Sequence, residues 1–282
     1  MRTFTLALLI GVCLAGIDSP AFAQCKSGGE EPVVAASPSQ PVVTDSPDTI
    51  ATGVGELEYG WQRAWLGGGG SSASASGTMF KMGVFRNFEF RTYFTAWQTS
   101  SVAAEPVVEG IGDTWLTGQY RFHRQSRELP ALALHYTLKQ PTADAQLGLG
   151  SGARDQIVAI SAGKDYRQTS FNFETKYIRL GEPDHQTASR CEEYSFNATH
   201  NVIRNFALTG EIYSDTRHSA GGAGLVSTLW TIGFSPKPRL VFDTGIDVGL
   251  THGAPDKRFF AGVSYALGDL YKPLRHHRQP SD

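Results

Sequence analysis

The chain has 282 residues, of which 40% are hydrophobic, 11% aromatic and only 18% charged, with a formal net charge of -2 at pH 7. So balanced a charge leaves no electrostatic footprint for nucleic acid, and so high an apolar fraction excludes a disordered chain. The three cysteines, Cys13, Cys25 and Cys191, show no Cys/His spacing of a metal site, so neither a metal nor a cofactor is expected.

In chain order, Arg2 gives a positive start, Phe4 to Ile17 an apolar core, and Ala21-Phe22-Ala23 the small-x-small pattern of a cleavage site. Residues 1–23 therefore read as a signal peptide, since the apolar run falls short of the roughly 20 residues of a spanning helix. Gln24 in front of Cys25 argues against lipid attachment. Cys25 and Cys191 either form a disulfide in an oxidising periplasm or are two unrelated thiols. Residues 24–48, rich in Pro, Ser, Ala and acidic residues, read as a periplasmic linker. Residues 272–282, with His276-His277, read as a polar tail.

Residues 49–271 alternate apolar and polar side chains in short segments, the period of a β-strand. Leu57, Tyr59 and Trp61 oppose Glu56, Glu58 and Gln62; Phe80, Met82 and Val84 oppose Lys81; Phe88, Phe90 and Phe94 oppose Glu89 and Arg91. Leu116, Tyr120 and Phe122 then oppose Asp113, Gln119 and Arg121, and Leu132, Leu134, Tyr136 and Leu138 oppose His135 and Lys139. Residues 156–163 form a strand of less definite phase. Phe171, Phe173 and Tyr177 oppose Asn172, Glu174 and Lys176; Tyr194 and Phe196 oppose Glu193 and Asn197; Leu208 and Ile212 oppose Glu211. Thr228 to Phe234, then Phe242, Ile246 and Val248 against Asp243 and Asp247, and finally Phe259 to Leu267 bring the count to about twelve.

Long connections at 66–77, 98–110, 140–154, 181–191 and 214–225 alternate with short ones at 86–87, 124–128, near 165, 201–205 and 236–238. That asymmetry is the mark of an antiparallel transmembrane β-barrel in the outer membrane, with short periplasmic turns and longer outer loops. A secreted β-sandwich also alternates, but nothing in it requires long and short connections to take turns. An even strand number puts both termini in the periplasm. Outer-membrane lipid would meet the apolar faces, and Trp61, Trp65, Trp115, Tyr120, Tyr177 and Trp230 are candidates for aromatic girdles. Gly262, Tyr265 and Leu267 resemble the closing-strand pattern read by the outer-membrane barrel assembly machinery, here internal because the chain runs on to Asp282.

The segments Gly110 to Trp115, Leu129 to Leu134, Lys139 to Ala143 and Gly148 to Gly152 resemble those of outer-membrane transporters labelled as phenol-degradation meta-pathway proteins. Thr44-Asp45-Ser46-Pro47-Asp48 is similar to a Thr-Asp-Arg-Pro-Asp stretch found before their first strand, with Ser46 in place of Arg. The resemblance covers roughly residues 44–271. It implies transport of aromatic or other hydrophobic compounds and brings no catalytic residue.

The inward face carries the candidate lumen-lining residues Glu56, Glu58, Lys81, Glu89, Arg91, Asp113, Arg121, Lys139, Glu174, Lys176, Glu211, Asp243 and Asp247. Such groups either line a path for small solutes or pair across the interior and plug it. The expected function is an outer-membrane channel or transporter. The alternatives are a structural or adhesion barrel with a plugged lumen, and a barrel-type hydrolase. The sequence has no Gly-x-Ser-x-Gly elbow, so the chain is not expected to be an enzyme.

Overall fold

The computed structural model describes residues 34–66, 71–101, 106–181, 189–216 and 224–271. The expected signal peptide, Cys25 and the tail at 272–282 lie outside the described residues. Thirteen strands follow in order: β1 (Val54–Leu66), β2 (Ser71–Phe85), β3 (Phe88–Ser101), β4 (Val108–Gly110), β5 (Thr114–His123), β6 (Ala131–Gln140) and β7 (Gln156–Tyr166), then β8 (Thr169–Leu180), β9 (Ser189–Ile203), β10 (Phe206–Asp215), β11 (Leu225–Lys237), β12 (Leu240–Gly249) and β13 (Lys257–Asp269). All strand pairs are antiparallel between chain neighbours. β1 also pairs with β13, so the sheet closes on itself. The short β4 pairs with β3 in the same register that β5 continues, Gln98 with Gly110 and Phe94 with Thr114, so β4 and β5 make one interrupted strand of a closed barrel of 12.

Closure satisfies every edge, and alternation then decides which side chains meet which medium. On β1, Leu57, Tyr59 and Trp61 are exposed while Glu56 and Glu58 are buried; on β8, Phe171, Phe173 and Tyr177 are exposed around a buried Glu174. The uncertain phase of β7 resolves with Val158 and Ile160 outward and Ala159 and Ser161 inward. Burial is thus inverted relative to a soluble protein: the large apolar groups form the outer surface and the charges form the core. No helix among the described residues is long and apolar enough to cross a membrane. The strands supply the crossing.

Three expectations change. The Ser/Ala stretch read as a loop over 66–77 is strand from Ser71, pairing Trp65 with Ser72 and Trp61 with Ser76. Small side chains gave it no alternation, and its structure comes from backbone pairing with β1. Likewise β3 runs to Ser101 and β9 starts at Ser189, so several strands reach 13 to 15 residues, beyond the roughly 9–11 a membrane crossing needs. The second change concerns Trp115. Its register partner Lys139 faces inward and holds its Nζ 5.9 Å from the Trp115 ring centroid, so Trp115 belongs to the lumen and not to a girdle. Trp65 does sit outside, with Arg63 and Lys257 over its ring and Phe259 edge-on to it.

Residues 34–48 were read as part of a linker, but in the structure they bond to the inward side chains of the wall. Ala36 N donates to Pro238 O at the short-turn end, and Gly53 N reaches Gly83 O where β1 begins. Between these points the chain makes a loop into the lumen. Val42 and Val43 pack on the inward apolar patch of Tyr213, Leu229 and Phe260. Glycines make room for the passage: a Cβ on Gly83 would lie 2.2 Å from Ala51 O, and one on Gly163 would lie 2.7 Å from Pro47 Cγ.

Candidate functional site

The lumen is a column of ion pairs built around this segment. Near the short-turn end, Glu56 and Glu58 project from β1 and Lys81 from β2, and Lys81 Nζ sits 2.6 Å from both carboxylates. The remaining lone pairs are taken by the segment. Ser37 N donates to Glu56 at 2.7 Å, and Ser39 N and Gln40 N donate to Glu58 at 3.0 and 3.1 Å. Lys81 in turn donates to Ser37 O. Three ionised groups are thereby buried together, a state that holds only when each has partners.

The same pattern surrounds residues 43–50. Glu211 on β10 accepts Val43 N, Thr44 N and Thr44 Oγ1. Glu174 on β8 accepts Asp45 N at 2.9 Å. Glu89 on β3 accepts Ile50 N at 2.7 Å and pairs with Arg91 Nε at 2.6 Å. Arg91 pairs across to Asp45 at 2.6 Å, Arg121 on β5 pairs with Asp48, and Gln119 donates to the carbonyls of Ser46 and Asp48. Lys176 donates to Val43 O and pairs with Glu193 at 2.7 Å. The segment's backbone polar groups, which have no ladder of their own, are satisfied by wall side chains.

Toward the long-loop end, Lys139 pairs with Asp155 at 2.7 Å and lies 3.5 Å from Asp113. Asp113 also accepts Ala143 N, and Gln98 donates to Leu149 O. The stretches 110–115, 139–143 and 148–152, separate in sequence, therefore meet as one folded mouth. Across the barrel, Asp247 accepts Tyr213 OH at 2.6 Å and pairs with Arg258 at 2.6 Å. Asp243 faces a cavity of about 240 Å³ at the short-turn end, lined also by Pro41, Val42, Asn172, Thr199 and Thr231.

Of the thirteen candidate residues, twelve join the bonds described and Asp243 lines the cavity. The sequence does not name Asp45, Asp48, Asp155 or Arg258 as partners, and it places Gln119, His135 and Glu193 on the polar face without counting them among the candidates. His135 and Gln119 have the inward phase of their strands, a signal available beforehand. Asp45 and Asp48 lie in no alternating strand. His135 Nε2 is 2.7 Å from Ser161 Oγ, and His135 Nδ1 is 3.8 Å from Asp45 Oδ2. The order imitates a hydrolase triad. Yet Ser161 is 0% exposed and the 3.8 Å gap is no hydrogen bond, so a substrate has no approach to the hydroxyl.

Closed antiparallel sheet, apolar exterior and charged interior define an outer-membrane type of β-barrel. Comparison with solved structures agrees at the level of fold. An outer membrane channel from Pseudomonas putida F1 superposes with a TM-score of 0.62 at 12% identity, covering 80% of this chain and 100% of that one. The KdgM porin in complex with disordered oligogalacturonate gives a TM-score of 0.50 at 7% identity, covering 74% and 98%. No protein-family model and no curated protein matches the chain.

Proposed function

We propose that the chain is an outer-membrane channel for small solutes whose path is narrowed by residues 34–50. The observation that carries this reading is the character of the lumen filling. The segment is held mainly by hydrogen bonds and ion pairs to the wall, with two small apolar contacts, Val34 and Ala36 on Val241 and Ala266, and Val42 and Val43 on Tyr213, Leu229 and Phe260. Beside that filling lies the cavity of about 240 Å³ with Asp243, Asn172, Thr199 and Thr231 in its wall, a polar space that water and small solutes can enter. The two structures of similar fold are a channel and a porin by their own descriptions, which supports the same reading.

The resemblance to phenol-degradation meta-pathway transporters directs the solute toward small aromatic compounds. The long loops then lie outside the cell and both termini in the periplasm.

Purified protein in a planar bilayer should conduct ions, and liposomes holding it should take up a small aromatic acid faster than a sugar or a fatty acid. Replacing Glu89 and Arg91 together by Gln removes the anchors of Ile50 N and Asp45. That variant should conduct more and with altered ion selectivity. A correctly folded protein that neither conducts nor takes up any of the three solutes would instead be a sealed structural barrel.

A further inference from the structure

Midway along the lumen three side chains from distant parts of the chain converge: Asp45 on the segment, His135 on β6 and Glu174 on β8. One ligand-type atom of each lies within 4.8 Å of the other two. His135 is 2% exposed and Glu174 0% exposed, yet His135 Nδ1 and Glu174 Oε1 have no hydrogen-bond partner. Buried polar atoms of this kind call for a bound species.

The opposite atom of each group is already held. Ser161 Oγ is 2.7 Å from His135 Nε2, which fixes that nitrogen as the N–H when Ser161 accepts and leaves a lone pair on Nδ1. Arg91 takes Asp45 Oδ1, while Asp45 N and Lys176 Nζ lie 2.9 and 3.4 Å from Glu174 Oε2. Asp45 Oδ2, His135 Nδ1 and Glu174 Oε1 are the atoms left over. Metal-binding imidazoles and carboxylates are oriented in this way by partners on their far atoms. Charge agrees: Asp45, Glu89, Glu174, Glu193 and Glu211 stand here against Arg91 and Lys176, an excess of carboxylate.

We infer that Asp45, His135 and Glu174 form a binding site for one divalent transition-metal ion of the zinc type, joining the luminal segment to two strands of the wall. One nitrogen and two oxygens suit such an ion, with water as a fourth ligand. Tetrahedral zinc needs its ligands roughly 3.3 Å apart, so the side chains close inward slightly on binding. Neither transport nor its substrate enters this inference, and its test is independent of both.

The test is to refold the mature full-length protein from urea into detergent with Zn²⁺ alone, desalt it, and measure bound metal. Heat-modifiable migration on a gel confirms folding. About one equivalent should remain with the wild type, and its thermal midpoint should rise by several degrees over the metal-free protein. His135→Ala and Glu174→Gln should each lower retained zinc at least tenfold, whereas replacing both His276 and His277 by Ala should leave it unchanged. Co²⁺ in place of Zn²⁺ should give visible d–d absorption that His135→Ala abolishes. Should His135→Ala fail to fold, Glu174→Gln and Asp45→Asn give the same reading. Folded wild type that retains no metal, or retains as much after His135 or Glu174 is replaced, overturns the site and leaves the three atoms to water.

Discussion

Lys81 shows how a single residue can hold this interior together. Its ammonium lies 2.6 Å from each of two carboxylates, and all three side chains are almost fully buried. Lys81→Met would leave Glu56 and Glu58 facing one another without a cation, and removing one partner of such a buried network costs about 3–5 kcal/mol. The midpoint of urea unfolding should fall accordingly. Adding Glu56→Gln and Glu58→Gln to Lys81→Met should restore most of the loss, because no buried charge is then left alone. A fall of equal size in the triple variant would mean that packing, not charge, sets the effect. The buried phase of Glu56, Glu58 and Lys81 was legible from alternation alone. The charged partners on the segment were not, because Asp45 and Asp48 sit in a stretch whose Pro and Ser content hides any period.

At the scale of the strand, every element of the ring has one face for lipid and one for the lumen. Ile160, outward and 49% exposed midway along β7, tests the lipid face. Ile160→Arg should destabilise the folded barrel by about 2–4 kcal/mol, the cost of that side chain at the bilayer midplane, while Ala159→Ser on the opposite face should cost far less. Unfolding titrations in lipid vesicles read both. Orientation is tested at the ends of the strands. Gln146 lies exposed in a long connection and Lys237 beside the turn from β11 to β12. A cysteine at Gln146 should react with an impermeant reagent on intact cells and one at Lys237 should not; labelling at Lys237 alone reverses the topology. Most strands were readable because apolar and charged residues alternate. The Ser71 to Gly77 end of β2 was not, since Ser, Ala and Gly differ too little to show a face. Trp115 was misassigned to a girdle for a related reason: an aromatic ring suits the interface, but position in the pleat decides its side, and Trp115 shares the phase of Gln119 and Arg121.

For the whole molecule, closure makes the barrel, and the segment from residue 34 to Gly53 defines its interior. The long and short connections and the even strand number made the barrel legible in the sequence. The contents of the barrel were not, because a Pro/Ser-rich stretch looks the same whether it hangs in the periplasm or threads the lumen. What decides between them is the set of carboxylates: Glu56, Glu58, Glu89, Glu174 and Glu211 come from four strands, β1, β3, β8 and β10, and accept the segment's backbone N–H groups in turn. Removing the segment would widen the path by the volume it fills.

The most direct measurement is single-channel conductance in a planar bilayer for the mature chain and for a variant lacking residues 34–48, both shown to be folded by heat-modifiable migration. A channel narrowed by its own amino-terminal segment should give small, discrete openings in the full chain and a conductance several-fold larger in the variant. Equal conductance in the two, or silence in both, would contradict it.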